Sequence, residues 1–220
     1  MFGFNFLNIL INVPITLIAL TFHELAHGWV SIKLGDPTPR LRGRMTLNPM
    51  AHLDLIGTLL MIFTGFGWAK PVEVNPMYYK DKKKGMAITA AAGPLANLIL
   101  AIVGCIIWLL PYAIVNSTGG ALPRWFTNGF SLFMQIFIIR NLNFMVFNLI
   151  PFPPLDGSRI IGLFISNKAY YTLMSYERYS MLILMLLSVT GVFSGIIGTG
   201  VSFVFTLIFK GIGSMFGLIV

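Results

Sequence analysis

The chain has 220 residues, of which 56% are hydrophobic and only 10% are charged, whereas a soluble domain carries about 25% charged residues. Its mean hydropathy of +0.83 excludes an ordinary soluble protein and indicates one domain, residues 1–220, embedded in a lipid bilayer. The formal net charge of +8 does not indicate nucleic acid as a partner, because the basic residues lie between apolar segments, as in cytoplasmic loops of membrane proteins.

The apolar segments predict an all-α polytopic membrane protein with about five transmembrane helices. A spanning helix needs about 20 mostly apolar residues. Such segments occupy residues 4–31, 86–111 and 127–150, and the stretch from about 179 to 218 is long enough for a hairpin of two spans. Residues 53–66 are too few for a comfortable span, so we expect a short re-entrant segment there.

The loops differ in basic residues, which predicts the orientation. Loops 33–50, 67–85 and 151–178 are rich in Lys and Arg, whereas loop 112–126 holds only Arg124. The positive-inside rule therefore places the first three loops in the cytoplasm.

Two short polar segments resemble strands. Residues 40–48 (RLRGRMTLN) and 68–75 (WAKPVEVN) alternate in polarity and are flanked by turn residues. They predict a small β-sheet at the membrane surface, with Pro71 on an edge strand. A substrate segment held by pairing with that edge is a further hypothesis.

The first apolar segment contains HELAH at residues 23–27, which matches the pattern H-E-x-x-H. On a helix, residues four apart share one face, so His23 and His27 can direct their imidazole nitrogens at one Zn²⁺ ion. Glu24 then lies beside the first ligand, where it acts as general base on a zinc-bound water. The structural alternative is a polar cluster that joins helices, but ionisable residues within a span are costly and usually functional.

A catalytic zinc ion normally has three protein ligands and one open position. The candidates for the third ligand are His52, Asp54, Glu73 and Asp156. Asp156 follows the 127–150 span at the same membrane side as His27, beyond helix-ending prolines and before Gly157, which permits a tight turn. The alternative for Asp156 is a turn-forming Asp-Gly pair without a metal.

Five sequence blocks together resemble the site-2 protease family of intramembrane zinc metalloproteases, in its compact prokaryotic branch without a PDZ domain. The blocks lie within residues 23–157 and are HELAHG (23–28), NPMAHLD (48–54), GFGWAKPVEVNP (65–76), AGPLAN (92–97) and NLIPFPPLDG (148–157). The last block matches the family pattern N-x-x-P-x-P-x-L-D-G at every fixed position. The catalytic core would then occupy about residues 4–160, followed by the helical hairpin at about 179–218.

The resemblance implies a role for each matching residue. His23, His27 and Asp156 would be the ligands of one Zn²⁺ ion, and Glu24 the base. Asn148 would bind the substrate carbonyl oxygen or the developing oxyanion, although an interhelical amide is its structural alternative.

Three other residues of the blocks are expected to act indirectly. Asn97 is expected to pack near the site or support a ligand, and His52 to order its loop rather than bind metal. Gly93, with the adjacent proline, would allow close approach of two helices.

The resemblance also implies the reaction and its setting. We expect hydrolysis of peptide bonds in or near transmembrane segments, with a transmembrane helix of a membrane protein as substrate and the lipid bilayer as surroundings. The expected location is a prokaryotic cell membrane, with the active site towards the cytoplasm. The alternatives are an intramembrane metal-ion transporter, which would need polar residues at several depths, and a catalytically inactive scaffold that binds membrane proteins.

Overall fold

The computed structural model describes residues 6–58 and 67–218, and this part of the chain is mostly helical. The α-helices in chain order are α1 (Phe6–Lys33), α2 (Thr38–Leu41), α3 (Lys82–Thr118), α4 (Ser131–Asn148), α5 (Asp156–Ile160), α6 (Asn167–Ser175), α7 (Glu177–Val189) and α8 (Val192–Met215). Single 3₁₀ turns occupy Pro49–His52, Pro76–Tyr78 and Ile161–Phe164, and a π-helical turn, Phe126–Phe130, leads into α4.

Four helices in the described part of the chain are long and apolar enough to cross a membrane. They cover Leu10–Lys33, Lys82–Thr118, Phe126–Asn148 and Val192–Met215. The predicted polytopic helical architecture is therefore confirmed. The predicted count of about five spans is not supported, because four are found in residues 6–58 and 67–218.

The difference between the predicted and the observed number of spans is due to α7, which was predicted to be the first arm of a spanning hairpin. With 13 residues it is about 20 Å long, too short to cross the hydrocarbon core. Its first residue, Glu177, pairs with Arg159 of α5. Just beyond its other end, Phe193 packs against Phe147 at the end of α4. Both ends of α7 therefore lie at the same end of the helix bundle.

Helix α8 then makes the crossing alone. It starts beside Phe147 and reaches the distal half of α3, where Phe209 contacts Trp108. Gly200 of α8 lies so close to Val146 of α4 that an added Cβ would come within 2.9 Å of a Val146 methyl group. The buried centre between α3, α4 and α8 consists of Ala101, Cys105, Leu109, Ile138, Leu142, Met145, Val201 and Ile212.

The predicted surface sheet is wrong for both segments. Residues 40 and 41 belong to α2, residues 42 and 43 form a turn and the rest of 40–48 is irregular, while residues 68–75 form no strand. Among the described residues of this region, strand pairing is limited to one isolated bridge between Leu53 and Ala69. The reason is that two backbone N–H groups of 68–75, those of Val72 and Asn75, donate to carboxylates instead of to a strand. The sheet edge that was expected to hold substrate is thus not formed in this segment.

The predicted re-entrant segment, 53–66, lies partly outside the described residues. Residues 55–58 form a helical turn, and 59–66 are outside the described range, so that expectation stays a prediction.

Candidate metal centre

Helix α1 presents its two histidines to the start of α5. The imidazole rings of His23 and His27 are one helical turn apart, with centroids separated by 4.6 Å. Their Nε2 atoms lie 3.1 Å and 3.3 Å from Oδ2 of Asp156. The structure therefore brings together two residues of one helix and a third about 130 positions later in the chain.

Asp156 reaches the histidines because α4 stops short of it. After Asn148 the chain turns through a proline-rich segment, with a cis peptide bond between Pro153 and Pro154, and α5 begins at Asp156. Gly157 packs directly against the backbone carbonyls at the end of α4, where a Cβ would overlap with them. Its backbone is not left-handed, so glycine is needed there for close approach rather than for the turn that was predicted.

Helix α3 supplies a matching surface opposite the histidines. Thr89, Gly93 and Asn97 are spaced by four residues, so they lie along one face of that helix. Gly93 lies between the two imidazoles, and a Cβ there would be 2.5 Å from Cε1 of His23 and from Nε2 of His27. The predicted role of Gly93 in close helix approach is therefore correct, and the groups that approach it are the two imidazoles.

The outer nitrogen of each imidazole has a hydrogen-bond partner that accepts. Nδ1 of His27 lies 2.7 Å from the Thr89 carbonyl oxygen, so this nitrogen carries the proton. Nδ1 of His23 lies 2.7 Å from Oδ1 of Asn97. The orientation of that amide is fixed because its Nδ2 donates to the Ala19 carbonyl at 3.0 Å and to Asn141 Oδ1 at 3.1 Å.

These partners determine what the inner atoms offer. With both protons on Nδ1, the neutral imidazoles direct the lone pairs of Nε2 at a carboxylate oxygen. Oδ2 of Asp156 is buried and has no hydrogen-bond donor, although it lies at ion-pair distance from both rings. The lone pairs of the two Nε2 atoms and of Asp156 Oδ2 therefore face one another without a proton between them, and a bound cation would neutralise their repulsion.

The donor set fits the zinc ion that the sequence motif predicts. The ligand atoms of His23, His27 and Asp156 all lie within 4.8 Å of one another, and two imidazoles with one carboxylate are an established ligand type for catalytic zinc. In the part of the chain that the structure describes, no other group of three His, Cys, Asp or Glu side chains converges in this way.

Glu24 lies beside this centre but does not belong to the converging group of three side chains. Its Oε2 accepts a hydrogen bond from the backbone N–H of Val72 at 2.8 Å, so the segment around Val72 covers the site. Both groups line a cavity of about 240 Å³, together with the three candidate ligands and Asn148. The Asn148 amide donates to the Phe144 carbonyl of its own helix at 3.0 Å.

The other three candidates for a third ligand are engaged elsewhere. His52 is fully buried, and its Nε2 bonds to the Thr46 carbonyl at 2.9 Å. Asp54 accepts from the Gly57 N–H at 2.8 Å. Glu73 pairs with Arg42 at 3.1 Å on the surface. The expectation that His52 orders its loop fits this geometry.

The sequence could not reveal two groups at the site. The Thr89 carbonyl and the Val72 N–H are backbone groups, so no residue type marks them. Asn97 was expected to support the site, and its spacing of four residues from Gly93 is the signal that links it to His23.

Comparisons with known proteins identify the family of the chain. Residues 13–191 match the model of a family described as peptidase family M50. The protein named "Putative zinc metalloprotease YwhC" of Bacillus subtilis is 40% identical over 185 residues, covering 84% of this chain and 83% of that protein. Two proteins named "Putative zinc metalloprotease Rip2" are more distant. The protein of Mycolicibacterium smegmatis is 27% identical over a region that covers 79% of this chain and 64% of that protein. The protein of Mycobacterium tuberculosis is 25% identical over a region that covers 81% of this chain and 66% of that protein. No solved structure matches the chain.

Proposed function

The chain belongs to peptidase family M50, the site-2 protease family, and we propose that His23, His27 and Asp156 hold the zinc ion of this intramembrane zinc metalloprotease. In this proposal Glu24 is the carboxylate that moves the proton, and Asn148 contacts the substrate.

One observation carries the ligand assignment. Oδ2 of Asp156 is buried without a hydrogen-bond donor and lies within 3.3 Å of both Nε2 atoms. The outer nitrogens of both rings bond to acceptors, as is usual for imidazoles that bind a metal, because the outer bond fixes the ring and its tautomer.

The remaining chemistry is divided between the ion and the chain. Zinc supplies a Lewis acid that polarises the scissile carbonyl and makes water acidic enough to react near neutral pH. Glu24 accepts the proton of the attacking water and delivers it to the nitrogen of the leaving amine, so that the proton released in the first step is used in the second. The Val72 N–H orients Glu24 for both steps by holding Oε2.

Asn148 is proposed to stabilise the carbonyl oxygen of the substrate. Its support is its position in the cavity wall with the candidate ligands and Glu24. An amide N–H directed at the oxygen on which charge develops lowers the barrier of acyl transfer. In the present geometry one of its N–H groups bonds to the Phe144 carbonyl, so the other is the one proposed to contact substrate.

The proposed substrate is a transmembrane segment of another membrane protein. Such a helix hides its peptide bonds in internal hydrogen bonds, so it must unwind locally before a peptide bond reaches the cavity. The cavity lies near the end of α1 and the start of α3, where basic residues cluster, including Lys33 and Lys82. By the positive-inside rule this end faces the cytoplasm, and we propose the cell membrane of a prokaryote as the location.

The two alternative functions are not favoured. A transporter would need polar ligands at successive depths, and the described residues contain one converging group. A binding scaffold has no use for a carboxylate held beside three candidate ligands.

Metal content tests the ligand assignment directly. The purified wild-type chain should hold about one zinc ion, and His23→Ala and Asp156→Ala should lose it or bind it much more weakly. Asp54→Asn is the matched control, because an asparagine oxygen can still accept from the Gly57 N–H, and it should keep the ion. An Asp156→Ala variant with wild-type zinc content would overturn the assignment of Asp156.

A further inference from the structure

A buried carboxylate outside the catalytic cavity has no part in the proposed chemistry. Asp36, just after α1, is fully buried and accepts hydrogen bonds from three residues. Its Oδ1 accepts from the Thr38 N–H at 2.9 Å. Its Oδ2 accepts from the Ser31 hydroxyl at 2.7 Å and from the Asn75 N–H at 2.7 Å.

The bond from Ser31 is the end of a directed chain of hydroxyl groups. Because the Ser31 proton goes to a carboxylate, which can only accept, the Tyr79 hydroxyl must donate to Ser31 across 2.7 Å. The Tyr79 oxygen can then accept from the Thr89 hydroxyl at 3.1 Å. We call these four residues, Thr89, Tyr79, Ser31 and Asp36, the polar strut. All four are buried, and bonds in such a chain reinforce one another.

The polar strut reaches the metal centre at both α1 and α3. Ser31 follows His27 by one turn on the same face of α1. Thr89 is the residue of α3 whose carbonyl accepts from His27 Nδ1 at 2.7 Å. The strut therefore fixes the distance between the helix that bears the imidazole and the helix that bears its acceptor.

Asp36 also holds the segment that covers the cavity. It binds the Asn75 N–H, and three residues earlier the Val72 N–H binds Glu24. The backbone between these two bonds is thus fixed at one end by Asp36 and at the other by the proposed base.

We propose that Asp36 is a positioning residue that, through the polar strut, keeps His27 in its metal-binding orientation and, through Asn75, keeps the Val72 N–H on Glu24. This inference rests on the proposed function, because it concerns the same zinc ligand and base. Asp36 itself touches neither substrate nor metal.

Removal of a single hydroxyl tests the strut. Tyr79→Phe keeps the ring and breaks the chain between α1 and α3. The zinc affinity of the full-length chain in detergent, measured by competition with a chelator of known affinity, should fall about tenfold, at the lower end of the effect of losing an outer partner. For cleavage of a membrane substrate, kcat should fall while KM stays the same, since substrate does not contact the strut.

Two further variants make the result specific. Tyr78→Phe alters the exposed neighbouring tyrosine and should leave zinc affinity, kcat and KM unchanged. Thr89→Val removes the hydroxyl at the other end of the strut with a side chain of similar shape and keeps the carbonyl. It should reproduce the effect of Tyr79→Phe, and the double variant should be no worse than either single one, because both break the same chain.

The possible outcomes are distinguishable. Wild-type zinc affinity and kcat in both Tyr79→Phe and Thr89→Val would overturn the inference, even if thermal stability fell, because the strut would then be purely structural. A wild-type chain that binds no zinc would overturn the ligand assignment as well, and this inference with it.

Discussion

At the residue scale, Gly93 shows why the face of α3 next to the histidines must lack a side chain at this position. The two imidazoles need space between α1 and α3, and a side chain at this position would occupy it, since a Cβ would come within 2.5 Å of both rings. Thr89 and Asn97, one turn to either side, hold the outer nitrogens of the same rings. Three residues of α3 thus determine the positions of the two imidazole rings of α1.

Gly93→Ala is therefore expected to damage the centre although it removes no ligand. The added methyl group should displace the rings and weaken zinc binding by about tenfold or more, as the loss of an outer partner does, and overpacking should lower stability by about 1–3 kcal/mol. Gly198→Ala in α8 is the control, because no atom lies within 4 Å of its added Cβ. Zinc affinity by chelator competition decides the case: equal affinity in the two variants would be inconsistent with the packing described.

Asp36 makes a second residue-scale prediction, on the pH dependence of stability. Burial alone would raise the pKa of Asp36, but hydrogen bonds from Asn75, Thr38 and Ser31 outweigh it and hold the pKa below its usual range. A lowered pKa in the folded state means that this carboxylate stabilises the fold fully above its ordinary pKa of about 3.9 and loses that contribution as the pH falls through the lowered value.

The comparison of wild type with Asp36→Asn measures that contribution. In zinc-free protein the variant should melt at a lower temperature near pH 7, and the difference should shrink as the pH falls below about 4. Glu73→Gln, a change of an exposed carboxylate, should show a much smaller difference at every pH. A gap between wild type and Asp36→Asn that stayed constant down to about pH 3 would show that ionisation of Asp36 contributes nothing.

The role of a residue can be predicted from the sequence only if that role requires a particular residue type or spacing. The proposed roles of His23, Glu24 and His27 could be inferred from the sequence, because a metal bound to one face of a helix would require their spacing. The hydrogen-bond partners of the two Nδ1 atoms were only partly predictable. Asn97 is a polar residue in an apolar helix, but the partner at Thr89 is a backbone carbonyl, which every residue has. The polar strut was not predicted, because its two halves, residues 31–36 and 79–89, are far apart in the chain and only packing joins Ser31 to Tyr79.

At the scale of elements, the break after α4 was predictable and the course of α7 was not. Prolines and Gly157 mark the point at which the chain leaves α4, and Asp156 comes where that break allows it to return. The stretch 179–218, by contrast, is apolar almost throughout. Composition cannot tell that Gly191, in a left-handed conformation, turns the chain back before α7 has crossed the bundle.

The prediction of strands at residues 40–48 and 68–75 was wrong for a related reason. Alternating polarity predicts a strand only if the backbone groups pair with another strand. Here the N–H groups of Val72 and Asn75 donate to the side chains of Glu24 and Asp36. Carboxylates distant in sequence thus replaced the expected partner strand.

Chemical labelling tests the course of α7. In a Cys105→Ala background, which removes the one cysteine of the chain, single cysteines can be placed at exposed positions around it. With a membrane-impermeant maleimide on sealed vesicles, Ser175→Cys and Thr190→Cys should label from one side, and Ser117→Cys from the opposite side. Labelling of Thr190→Cys from the side of Ser117→Cys would mean that α7 spans the membrane.

At the scale of the whole molecule, three of the four candidate spans found in the described residues, α1, α3 and α4, meet at one polar centre near one end of the bundle. Helix α1 supplies two candidate ligands and the proposed base, α3 supplies their outer partners, and the end of α4 delivers Asp156. The membrane class, the family and the reaction were predictable because composition and two widely separated motifs agree. The number of spans and the cover of the cavity depend on tertiary packing, which no local pattern records.

The central claim is that Glu24 moves protons while three other residues bind zinc, and one paired measurement on Glu24→Gln tests it most directly. The variant keeps the size of the side chain and an oxygen for the Val72 N–H but cannot accept a proton as a carboxylate does. Zinc content should stay at about one ion per chain, and cleavage of a membrane substrate should fall by a factor of at least about 10², with Glu73→Gln as the matched control that retains both. A Glu24→Gln enzyme that cleaves at the wild-type rate, or that loses its zinc, would contradict the account.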